Sequence, residues 1–170
     1  MKLHGVNLIN LSFNRWLKKY GFKTRVRGMD TDFFWYHDDT ISYSLFASET
    51  SVENWNGLLE ELKCNYSIDF FFSAFLHELG HGRTYWNFTD SEIREYEDTL
   101  QLINTEPSSF AESAEYIYTR LPVEYEATRW AVNYINTYPE RIHELITTVG
   151  KAVRIFYKLN KVITEDMFDL

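Results

Sequence analysis

The stretch Phe70-Phe71-Phe72-Ser73-Ala74-Phe75-Leu76-His77-Glu78-Leu79-Gly80-His81 limits the fold more than any other part of the chain. As a helix it is apolar almost all the way round, and such a helix has to be buried among other elements. Its longest apolar run, Phe70 to Leu76, includes a serine and is far too short to span a bilayer. The surroundings must therefore be protein. A chain of 170 residues that is 45% hydrophobic and 18% aromatic can supply them as one domain, residues 1–170.

The flanking sequence predicts what those surroundings are. Val6, Ile9, Phe13, Trp16, Leu17 and Tyr20 recur at helical spacing over residues 6–20, with Gly21 as the stop. Short β-branched and aromatic stretches follow at Phe22–Arg27, Asp32–His37 and Thr40–Ala47, broken at Gly28-Met29-Asp30 and Asp38-Asp39. They read as a small antiparallel meander. Helices are expected over 53–63, over 69–83 with Asp69 as N-cap, and from the capping signal Thr89-Asp90-Ser91-Glu92 to about Asn104. Further starts fall at Pro107-Ser108, at Pro122 and at Pro139. The expected class is α+β: an N-terminal helix, a small antiparallel sheet, then a mainly helical body.

Charge and cysteine content remove several functions. A net charge of −8 gives no general attraction to phosphate backbones, so nucleic acid is not an expected partner. The basic groups Lys18, Lys19, Lys23, Arg25 and Arg27, and those between Lys151 and Lys161, read as solvated faces. Cys64 is the only cysteine, which excludes an internal disulfide and a cysteine zinc knuckle. The first residues lack a secretory apolar core, and no membrane segment is expected, so a cytoplasmic location is.

His77 and His81 are four residues apart, one turn along a helix, close enough for both imidazoles to reach one tetrahedral zinc ion. Glu78 beside them can take a proton from a zinc-activated water without binding the metal itself. Gly80 removes a side chain where another backbone can approach, and Gly82 is placed to end the helix. The similar start His143-Glu144-Leu145 ends in Ile146-Thr147, lacks the second histidine, and reads as helix surface.

A third ligand should come from elsewhere. In Pro122–Ala131, Glu124 shares a helical face with Ala127 and Ala131, and two alanines let that helix lie close to the motif helix. Glu126 points away towards Arg129 and Trp130 and is the less favoured of the two; Glu112 and Glu115 are weaker candidates. An oxyanion-stabilising group could be any of Tyr116, Tyr118, Tyr125, Tyr134, Tyr138, Arg83 or His143.

Together, His77-Glu78-Leu79-Gly80-His81 and the downstream Glu124-Tyr125-Glu126-Ala127, followed by Trp130-Ala131, resemble the ImmA/IrrE-type metallopeptidases. The resemblance implies a compact zincin-like fold of the gluzincin kind, one zinc per chain on His77, His81 and Glu124, and Glu78 as general base. It also implies hydrolysis of a peptide bond in a protein substrate, often a regulatory protein. The chain departs from the family at Thr128, where Asn or Asp is usual, and in the 43-residue interval from His81 to Glu124, which an added helical hairpin over about 89–118 would fill. The alternative expectation is a non-catalytic protein of the same fold that binds a host or regulatory protein. Glu78 favours the enzyme, since a purely structural zinc site has no use for an acid there.

Overall fold

The computed structural model describes residues 5–28, 35–43, 52–105 and 116–160. Helix α1 (Val6–Lys19) begins after Gly5, which adopts a left-handed φ of 98° against the backbone of Phe156. It ends where the sequence predicts, with Gly21 left-handed just beyond Tyr20. Its buried stripe, Ile9, Phe13, Trp16 and Leu17, enters the main core.

Three strands follow: β1 (Arg25–Gly28), β2 (Trp35–His37) and β3 (Thr40–Tyr43), in the order β1-β3-β2. β2 and β3 form an antiparallel hairpin turned by Asp38 and Asp39, both left-handed, as two-residue hairpin loops require. β1, however, pairs parallel with β3, so the sheet is mixed and the expected antiparallel meander is corrected. Burial explains the order. Ile41, Ser42 and Tyr43 of β3 are all buried, which suits the central position, whereas β1 exposes Arg25 and Arg27 and β2 exposes His37. The outer edge of β1 is closed by α1: Asn14 accepts from the Val26 N–H and donates to its carbonyl, and Asn10 accepts from the Gly28 N–H. These side chains satisfy backbone groups that an edge strand otherwise leaves open.

The helical body comprises α2 (Val52–Glu61), α3 (Phe70–Thr84), α4 (Asp90–Thr105), α5 (Pro122–Thr137) and α6 (Pro139–Asn160). Asp69 stands at the N-cap of α3 but makes no side-chain capping bond. Thr89 and Glu92 do form a reciprocal capping box at the start of α4. The start expected at Pro107-Ser108 lies outside the described residues. α3 packs most extensively along α5 and also meets α2, β2 and β3, so the most apolar helix is surrounded as its composition demands. The α+β class stands, with its sheet mixed. Among the described residues no helix is long and apolar enough to cross a membrane.

Candidate metal centre

The site begins with the contact between α3 and α5. A Cβ on Gly80 would lie 2.4 Å from the Ala127 carbonyl oxygen and 3.1 Å from its Cα, so only glycine permits this approach. Ala127 and Ala131 are buried on the α5 face that makes it. The closeness of the two backbones carries Glu124, one turn before Thr128, up to the histidines of α3. Gly82 does not end the helix, which continues to Thr84; its missing side chain leaves room for the Tyr36 ring, 2.8 Å from where a Cβ would stand.

His77 and His81 stack edge to face with ring centroids 4.5 Å apart. The Glu124 Oε2 lies 3.0 Å from His77 Nε2 and 3.4 Å from His81 Nε2, and Glu124 is 1% exposed. Thr128 Oγ1 donates to the Glu124 carbonyl and lies 2.9 Å from His77 Nδ1. Its single proton being used, Thr128 accepts from Nδ1–H, and the His77 Nε2 lone pair faces the Glu124 carboxylate. Two electron-rich atoms at 3.0 Å require a cation between or on them, a proton or a metal ion. Thr128 thus makes a hydrogen bond to the histidine despite its departure from the family pattern. Trp55 closes the other side of His77, ring edge to ring face at 5.1 Å, and its indole N–H donates to Ser73 Oγ.

Electrostatics divide the acids. Burial pushes the Glu78 carboxyl up to about 8, with the Glu124 charge adding to the rise while His81 and the Tyr36 backbone N–H oppose it. Burial also opposes ionisation of Glu124, but its bonds to His77 and His81 outweigh that and hold it well below the usual carboxylate range. His77 is lowered by burial and by the neighbouring His81. His81 is also penalised by burial, yet Glu124 and then Glu78 leave it raised. His77, Glu78 and His81 offer ligand atoms within 4.8 Å of one another and could hold a metal ion.

Of the residues singled out in the sequence, His77, Glu78, His81 and Glu124 are brought together. Glu126 is instead paired with Arg129 at 2.5 Å, while Glu112 and Glu115 lie outside the described residues. Among the candidate oxyanion groups, Tyr118 is drawn to the site: burial, then the charge of Glu124, holds its phenol far above the usual range. Tyr116 lies under Arg120, Tyr134 and Tyr138 pack together beside Arg141, Arg83 covers Phe22, and His143 is exposed. Tyr125 is half-buried on α5.

Sequence reasoning missed Tyr96 of α4, whose hydroxyl donates to Glu124 Oε1. A signal existed: Ile93, Tyr96, Leu100 and Ile103 recur at helical spacing along α4, and all four are half-buried. Compared with models of protein families, with curated proteins and with solved structures, the chain matches none.

Proposed function

We propose that this chain is a zinc-dependent hydrolase, most simply a peptidase acting on a protein substrate, as its resemblance to the ImmA/IrrE-type enzymes implies. One observation carries the reading: His77 Nε2, His81 Nε2 and Glu124 Oε2 converge, the oxygen lying 3.0 and 3.4 Å from the two nitrogens. Those separations suit the edge of a tetrahedron with metal–ligand bonds of 2.0–2.1 Å, about 3.3 Å. Glu78 also has an oxygen within 4.8 Å of both imidazoles. Glu124 sits closer to them, so Glu124 is the third ligand and Glu78 is left free to act.

A bound zinc ion supplies Lewis acidity and lowers the pKa of water to about 7. The chain does the rest. Thr128 holds His77 in the tautomer that presents Nε2 inward. Glu78 takes the proton of the attacking water and can return it to the leaving amine. The Tyr36 backbone N–H, in edge strand β2, favours the ionised form of Glu78. A cytosolic setting suits a chain whose single cysteine, Cys64, is free.

The test is Glu78→Gln in the zinc-loaded protein. Zinc content should stay as in wild type, while cleavage of substrate proteins, read by mass spectrometry of new termini, should fall by about 10²–10⁴. Undiminished cleavage by this variant would remove Glu78 as the base, whereas a biological effect that survives Glu78→Gln with no cleavage by wild type would favour action by docking onto a regulatory protein instead.

A further inference from the structure

We infer that Tyr96 restricts Glu124 to binding the metal through one oxygen, and so keeps a coordination position open for water. The inference rests on the zinc reading of the site. Glu124 has two carboxylate oxygens with different neighbours. Oε2 faces the imidazole nitrogens of His77 and His81. Oε1 accepts the hydrogen bond of the Tyr96 hydroxyl. A phenol bonded to an ionised carboxylate is one of the stronger hydrogen bonds a protein makes. Tyr118, half-buried, is a second phenol close to Glu124 and Tyr96.

The consequence is a matter of counting. With both oxygens of Glu124 engaged, two nitrogens and two oxygens would take four positions, and water could join only as a fifth ligand. With one, three positions are filled and one remains, as in a catalytic site. Tyr96 therefore acts as a positioning residue, working through Glu124. It also accounts for α4, the helix in the long interval between His81 and Glu124: its half-buried stripe carries the phenol to the ligand.

Cobalt(II) replacing zinc reads the coordination number directly in its visible absorption. Wild type should give the intense bands of a four-coordinate ion. Tyr96→Phe, which deletes one hydroxyl, should give the weaker bands of a five-coordinate ion, and its zinc Kd should rise about ten- to hundredfold. Tyr116→Phe, at an exposed phenol under Arg120, should leave the cobalt bands of wild type in place. A zinc-loaded crystal structure of the wild-type protein needs no variant to fold: Oε1 should remain on Tyr96 and out of bonding distance of the ion. Unchanged bands in folded Tyr96→Phe, or both Glu124 oxygens on the metal in wild type, would overturn the role of Tyr96 while leaving the zinc reading intact. Failure of wild type to bind either metal would overturn the zinc reading and this inference with it.

Discussion

His77-Glu78-Leu79 on α3 and His143-Glu144-Leu145 on α6 are the same three residues in two helices, and they do different things. Both leucines are buried in the same core, at 1% and 0% exposure. The helices differ in what covers the remaining faces. α3 is enclosed, so His77 and Glu78 meet other helices; α6 is amphipathic, so His143 faces solvent and Glu144 reaches the surface. Burial pushes Glu78 up to about 8. Glu144 accepts from Lys19 Nζ and from the Tyr20 hydroxyl, each at 2.6 Å, and is held below the usual range. An identical tripeptide thus yields a buried carboxyl that resists ionisation in one place and a surface ion pair in the other. The lesson is that the second histidine and the enclosing helix, rather than His-Glu, make the site.

The hardest blow to that contrast comes from metal analysis of purified variants. His77→Ala, His81→Ala and Glu124→Ala should each lose nearly all of about one zinc per chain, the content expected of a single tetrahedral site. His143→Ala and Glu126→Ala should keep it. Loss of metal on removing His143 would erase the distinction between the helices, and loss on removing Glu126 would mean that α5 presents a different face.

The two helices also carry glycines that should respond in opposite directions. A Cβ on Gly80 strikes the backbone of Ala127, which cannot yield as a side chain could, whereas a Cβ on Gly150 of α6 meets nothing within 4 Å. Gly80→Ala should destabilise by about 1–3 kcal/mol or more. Gly150→Ala should stabilise by up to about 1 kcal/mol through helix propensity. Urea denaturation measures both, and equal effects would mean that α3 and α5 are not in close contact.

The smallest effects sharpen the comparison through pH, in the metal-free protein. Glu78 has a folded pKa above the unfolded value, so it costs stability as pH rises from about 4.3 towards about 8. Glu78→Gln should therefore gain on wild type across that window. Glu144 has a lowered folded pKa, so its contribution is present above about 4.3 and is lost as pH falls through the folded value. Glu144→Gln should melt slightly below wild type near neutrality, and the gap should close in acid. Slopes of the same sign for the two variants would contradict the opposed environments of these glutamates.

Much of this was legible because it is local. The stop at Gly21, the Thr89–Glu92 capping box and the proline starts of α5 and α6 depend on residues a few positions apart. The hairpin at Asp38-Asp39 was equally readable, but the position of β1 was not. Neighbouring strands in sequence suggest a meander, while the order follows from how fully β3 is buried and from Asn10 and Asn14 closing the edge of β1. Glu124 was reachable from the helical face it shares with two alanines. Tyr96 was not singled out: its helical stripe marks an inward face, but the sequence does not say which of 12 tyrosines meets Glu124.

By itself the sequence determined that His77 and His81 share a helical face with Glu78 beside them, because 3.6 residues per turn follows from backbone geometry. It also determined that their helix is buried, because nothing else can cover so apolar a segment. Only the tertiary structure decided that Glu124 Oε2 meets both imidazoles, that Thr128 sets the His77 tautomer and that Tyr96 takes the other oxygen. Those contacts join residues 28 to 51 positions apart, and the geometry at the histidines depends on how closely Gly80 lets α3 approach α5.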